Sequence, residues 1–311
     1  MGPLFSQPVK VNMNRRDFFK NACSVPVVAG IVAGIVDVEA QSPIKRAGGP
    51  RLKLSCNLYS FNDLLDNGAM TLEQVLEFCA QAGFDAVDLT AYYFPGYPRV
   101  PADDYLYAIK RKAFLLGLDI SGTGVRNDFT DPDEARLKAD INLVTQWIEC
   151  AARLGAPVLR VFSGKGTQDD FKRDQMQEQV VKALKVCVQH GARFGVIIAL
   201  QNHADFIQNA DQLIQILRLV NSEWLGVNLD IGSFQTADPY EDIARCAPFA
   251  VTWQIKEKVN VAGHEQKTDL KKIARILHQC GYRGYLPLET LGEGDPRVKV
   301  LKFLEEAQSA L

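Results

Sequence analysis

Val196-Ile197-Ile198-Ala199-Leu200-Gln201-Asn202-His203 precedes a helix-periodic stretch, Ala210–Val220, which in turn precedes Gly226-Val227-Asn228-Leu229-Asp230-Ile231-Gly232-Ser233. The two flanking runs are short, apolar and β-branched, as strands are, and each ends on polar side chains. Strand, helix and strand in this order read as parallel neighbours joined by a helical crossover.

The unit recurs from Leu52 onward. Strand patterns lie upstream at Lys53–Phe61, Asp85–Thr90, Asp119–Val125 and Val158–Gly164, and downstream at Val251–Glu257 and Tyr285–Gly292; with Val196–His203 and Gly226–Ser233 they make eight. Helical patterns occupy Thr71–Ala82, Asp103–Leu116, Asp133–Leu154, Phe171–Arg193, Ala210–Val220, Pro239–Cys246, Asp269–Gln279 and Asp295–Ala310. Four helices end in a repeated glycine cue, at Gly83, Gly117, Gly155 and Gly281, where a left-handed residue closes the last turn. Eight strands, each followed by a helix, predict an α/β fold closed into a (β/α)8 TIM barrel. An open doubly wound sheet would bring a glycine-rich phosphate turn after its first strand, where this chain has Ser60-Phe61-Asn62-Asp63.

The 311 residues are 47% hydrophobic and 23% charged, which excludes a disordered or fibrous chain. A formal net charge of -2 supplies no basic footprint, so nucleic acid is not an expected partner. The first forty residues read differently from the rest. Asn14-Arg15-Arg16-Asp17-Phe18-Phe19-Lys20 is followed by an uncharged run, Asn21–Val36, and by Val38-Glu39-Ala40, in the order of a secretory signal. The paired arginines resemble a twin-arginine export signal, which implies the Tat translocase as a partner during export, cleavage near Ala40 and a periplasmic or exported location. The uncharged run falls short of the roughly 20 residues a spanning helix needs. The predicted organisation is a leader at residues 1–40, a linker at 41–51 and one barrel at 52–311. Cys56, Cys79, Cys150, Cys187, Cys246 and Cys280 are scattered, with no CxxC, and are expected as buried thiols.

In a barrel of this kind the side chains at the carboxyl ends of the strands face the active site. Four consecutive strands end in Gln201-Asn202-His203-Ala204-Asp205, Leu229-Asp230-Ile231-Gly232-Ser233, Trp253-Gln254-Ile255-Lys256-Glu257 and Leu288-Glu289-Thr290. His203 and Lys256 share the facing of Gln201 and Gln254, two residues earlier, because side chains alternate along a strand. Asp88 and Arg160 are further inward candidates for substrate hydroxyls or a carboxylate, with a mutual salt bridge as the structural alternative. Tyr59 and Phe61, then Tyr92-Tyr93-Phe94-Pro95-Gly96-Tyr97, gather aromatics after strands one and two. Tyr59 and Tyr92 suit stacking on a sugar ring; the same cluster also suits packing or a dimer contact, so a homo-oligomer is an expected partner state.

Gln201-Asn202-His203, Leu229-Asp230-x-Gly232 and Pro287-Leu288-Glu289 resemble the xylose isomerase-like barrel family of sugar isomerases and epimerases over roughly Leu52–Leu311. The resemblance implies a small carbohydrate substrate and one divalent metal held by Gln201, Asp230, Gln254 and Glu289. Two departures stand out: Gln201 replaces a glutamate of the family and Gln254 replaces a histidine. An all-oxygen set of this kind suits Mn²⁺ first, with Mg²⁺ or Ca²⁺ as alternatives. Glutamine cannot accept a proton, so a relay between two carboxylates is broken at Gln201. Glu289 is then the expected general base, with His203 and Lys256 as proton donors or substrate holders. The expected activity is a metal-dependent sugar isomerase or epimerase working through an enediolate. The alternatives are a keto-sugar lyase or hydratase and a non-catalytic sugar-binding barrel. A nuclease with a zinc cluster is disfavoured by having only His190, His203, His264 and His278.

Overall fold

The computed structural model describes residues 41–166, 170–203 and 205–311. The expected export signal, residues 1–40 with Arg15 and Arg16, lies outside the described residues, as does Ala204. The described residues belong to one compact unit. Its barrel strands are β1 (Arg51–Asn57), β2 (Ala86–Thr90), β3 (Asp119–Gly124), β4 (Val158–Phe162), β5 (Ile197–Gln201), β6 (Leu225–Asp230), β7 (Ala250–Lys256) and β10 (Arg283–Glu289). They close in the order β1-β10-β7-β6-β5-β4-β3-β2, all parallel, which is the TIM barrel the alternation predicts.

The helices begin where short polar side chains can cover their free N–H groups. Thr71 and Gln74 form a reciprocal capping box, and Asp133, Asn209, Asp269 and Asp295 each accept from the first turn of the helix that follows. Several of the expected helices therefore start one residue late, because their polar first residue is the cap. Gly83 and Gly155 take the left-handed conformation that ends their helices.

The structure differs locally from the expected pattern. The first strand ends at Asn57 and not at Phe61, because the Asn57 side chain accepts from Tyr59 N–H at 2.9 Å and turns the chain into a 3-10 helix, Leu58–Phe61. A hairpin, β8 (Lys258–Val261) and β9 (His264–Lys267), follows β7 and was not expected; its turn uses Ala262 and Gly263 at positive φ. Residues 41–50, expected as a linker, hydrogen-bond to the amino-terminal ends of strands: Gln41 Nε2 to the Leu225 carbonyl at 2.6 Å and Ile44 N–H to that of Pro248 at 3.0 Å. Cys56, Cys79, Cys150, Cys187 and Cys246 are buried free thiols, and Cys280 is half-buried.

Candidate active site

The carboxyl ends of the strands open into a cavity of about 530 Å³, large enough for a small carbohydrate. Its wall takes Asn57 from β1, Phe162 from β4, Gln201 from β5, Gln254 and Lys256 from β7 and Glu289 from β10. Register aligns these groups. Asp230 pairs with Gln254 across β6 and β7, and Lys256 pairs with Glu289 across β7 and β10.

The expected quartet Gln201, Asp230, Gln254 and Glu289 does converge, but on an ammonium. Lys256 Nζ lies 2.9 Å from Asp230 Oδ2 and 3.4 Å from Glu289 Oε1. Gln201 Nε2 donates to Asp230 Oδ2 at 2.8 Å, and Gln254 Nε2 donates to Glu289 Oε2. A carboxylate can only accept, so each glutamine must turn its N–H₂ end toward it. Gln254 Oε1 is in turn occupied by Asn228 Nδ2 at 3.2 Å. Asp230 is further fixed: its other oxygen accepts from Gly232 N–H at 3.0 Å, and Asn202 brackets its main chain with bonds of 2.8 and 2.9 Å.

This arrangement does not fit the divalent ion the resemblance implies. A hard cation needs several oxygens pointing at one point. Here the amides present N–H to the carboxylates, and the ammonium already lies between those carboxylates. In this structure Asp230 and Glu289 flank the Lys256 ammonium, and Gln201 and Gln254 donate to those carboxylates. Among the described residues, no group of three or more His, Cys, Asp or Glu side chains could hold a metal ion.

The electrostatics follow from burial and sharing. Burial works against the Lys256 charge, but Asp230 and Glu289 outweigh it and hold the ammonium well above the ordinary lysine pKa. Of the two roles expected for Lys256, proton donor or substrate holder, a charge held in this way suits the holder. Burial pushes the Glu289 carboxyl up, since the one lysine that would lower it is shared with Asp230. A carboxylate raised in this way is a stronger base than a free one. Asp230 is fully buried and off the cavity wall, so Glu289 is the carboxylate that the barrel strands themselves offer to a substrate, with Asp128, Asp140 and Asp205 lining the cavity from outside the strands.

The remaining candidates divide. Tyr59 and Tyr92 line the cavity, edge to face with ring centroids 6.4 Å apart, and Arg160 lines it beside them. Arg160 Nη1 donates to the Val125 carbonyl at 2.7 Å, and its guanidinium lies 4.3 Å from the Phe162 ring centroid. Gly124 makes this possible, since a Cβ there would lie 2.6 Å from Arg160 Nε. His203 also lines the cavity; its Nδ1 is 2.9 Å from Asp205 Oδ2 and its ring stands on Phe162 at 4.6 Å. Asp88 is buried off the cavity wall, and its carboxyl is pushed up to about 6 by burial, against the pull of Arg160 and with the push of Glu289.

Arg126, Asn127 and Asp128 also border the cavity and were not anticipated. The signal was available, because this polar run directly follows the third strand pattern at its carboxyl end. Arg126 lies 4.5 Å from the Tyr92 ring centroid, on a ring that Arg160 also approaches at 5.6 Å.

A family model described as "Xylose isomerase-like TIM barrel" matches residues 76–307. Among solved structures, D-psicose 3-epimerase with D-tagatose from Clostridium cellulolyticum H10 superposes with a TM-score of 0.67 at 16% identity, covering 83% of this chain and 99% of that one. The apo form of 3-keto-D-glucoside 4-epimerase from E. coli gives 0.68 at 13%, covering 83% and 100%. The IOLI protein with a bound zinc atom gives 0.67 at 17%, covering 83% and 99%. No curated protein matches the sequence.

Proposed function

Because the chain belongs to the xylose isomerase-like TIM barrel family, we propose that it is a sugar isomerase that removes a proton beside a carbonyl with Glu289 as its one base. The observation that carries this reading is that Glu289 is the one carboxylate on a barrel strand that lines the cavity, whereas Asp128, Asp140 and Asp205, which also line it, stand on the loops and helix around its mouth. Inverting one carbon needs a second base on the opposite face of the sugar. Moving a proton between adjacent carbons on one face needs only one. Aldose–ketose interconversion is therefore favoured over epimerisation. Glu289 takes the proton from C2 and returns it to C1, while the hydroxyl proton passes between the neighbouring oxygens. Tyr59, Tyr92 and Arg160 hold the sugar, and His203 with Asp205 borders the same cavity as a second polar contact.

A second reading, β-elimination on a keto-sugar, draws on the same observation, since it too needs only one base. Incubating the protein with aldose and ketose pairs and with 3-keto-glycosides in D₂O, followed by NMR, separates them. Aldose–ketose exchange with deuterium at C1 or C2 supports the isomerase. Loss of the C3 substituent would move the assignment to the lyase, and a sugar that binds without any exchange would make the barrel a binding module. The export reading of residues 1–40 belongs to this proposal as well: an unphosphorylated sugar is the substrate expected outside the cytoplasm. Replacing Arg15 and Arg16 together by lysine should retain the protein in the cytoplasm on cell fractionation.

A further inference from the structure

We propose that the ammonium of Lys256 is the built-in cation of this site, standing between Asp230 and Glu289 in place of a divalent metal and offering its remaining N–H to the carbonyl oxygen of the substrate. Three independent features of the chain support this assignment. Lys256 Nζ is within 2.9 Å of one carboxylate and 3.4 Å of the other, which uses two of its three donors. Its side chain retains 16% exposure and lines the cavity, so the third donor has access to a ligand there.

Second, the two glutamines act as donors around the same centre. Gln201 gives an N–H to Asp230 and Gln254 gives one to Glu289. A glutamate at 201 would add a third negative group around one ammonium, whereas two amide donors leave two carboxylates sharing one positive charge. Gln201, Gln254 and Lys256 are therefore chemically consistent with one another around Asp230 and Glu289. Third, the neighbouring backbone leaves room for the lysine stem. Gly232, which follows Asp230 by two residues, stands where a Cβ would lie 2.8 Å from Lys256 Cδ and 3.0 Å from the Lys258 carbonyl oxygen.

An ammonium here can do the electrostatic part of the work. As Glu289 takes the C–H proton, the C–H electron pair becomes a C=C bond and the carbonyl electrons move onto oxygen. That oxygen then carries the negative charge that a fixed donor stabilises. Only this last clause rests on the isomerase reading; the exclusion of a divalent ion does not.

The experiment therefore measures metal binding with no sugar present. Full-length protein treated with EDTA and desalted is titrated with Mn²⁺, and the free ion is followed by electron paramagnetic resonance, for the wild type and for Lys256→Ala. The wild type should bind no stoichiometric Mn²⁺. The variant, with two buried carboxylates left without a counterion, should take up one Mn²⁺ per chain, at least about tenfold more tightly. Lys256→Met serves the same purpose if the alanine variant does not fold. Uptake of one Mn²⁺ by the wild type overturns the proposal, and so does a folded variant that takes up none. Neither result depends on whether the sugar chemistry is correct.

Discussion

A Cβ at Gly232 would lie 2.8 Å from Cδ of Lys256. The lysine stem can yield, but the Lys258 carbonyl at 3.0 Å is backbone and cannot move cheaply. Gly232→Ala is expected to cost about 1–3 kcal/mol in urea unfolding. Part of that cost comes from the stem, so in the Lys256→Ala background the same substitution should cost less, with a coupling of about 0.5–2 kcal/mol. Full additivity of the two changes would mean that Gly232 does not serve the lysine.

Gln201→Glu replaces an N–H that faces Asp230 Oδ2 at 2.8 Å with a second carboxylate. The new acid can be accommodated only when protonated, so its folded pKa must lie above its unfolded one. Stability is then lost as pH rises through the folded value and is regained toward acid. We expect a loss of about 1–3 kcal/mol at pH 8 that shrinks toward pH 5. Denaturant melts at several pH values check this, and a pH-independent loss would contradict the donor role assigned to Gln201.

Asp88 provides a second pH effect. Its carboxyl is raised from 3.8 to about 6 in the folded chain, facing Arg160 from β4 and Glu289 from β10. A raised acid makes the folded state bind more protons than the unfolded state between these values, so its contribution declines as pH rises from about 4 to 6. Asp88→Asn removes this dependence. Relative to wild type, the variant should gain roughly 2–3 kcal/mol between pH 4 and pH 8. A constant difference across that range would show that Asp88 is not perturbed.

Thiol reactivity reports on the core. Burial pushes Cys150 and Cys187 up to about 12 and raises Cys246 further, and the thiolate is the reactive form. In a chain beginning at Gln41, a disulfide reagent at pH 8 should label at most the half-buried Cys280 while folded, and all six cysteines in denaturant. Rapid labelling of the folded protein at a second site would contradict this packing.

The barrel was legible because its signals are local. The alternation of strand and helix, the capping residues Thr71, Asp133 and Asp269, and the left-handed Gly83 and Gly155 all act within a few residues of where they stand. The site was half legible for the same reason. Strand-end position and period two place Gln201, Asp230, Gln254, Lys256 and Glu289 at one end of the barrel, where the structure joins them by hydrogen bonds and ion pairs. Their chemistry was not legible, because it depends on where a long lysine side chain ends, and that is set by β6 and β10 on either side of it and by the space above Gly232. Asp88 shows the opposite failure: its facing was read correctly, but its depth, which keeps it off the cavity wall, is a property of strand stagger. Asn57 misled the strand boundary because Tyr59 and Phe61 continue an alternating pattern that one side-chain hydrogen bond interrupts.

The central claim is that Glu289 is the single base of a sugar isomerase. The most direct measurement compares wild type and Glu289→Gln for solvent deuterium incorporation into a sugar that both bind. The wild type should exchange at C1 or C2, unaffected by EDTA, and the variant should fall roughly 10²–10⁴-fold with sugar affinity little changed. Exchange by Glu289→Gln at the wild-type rate would contradict it.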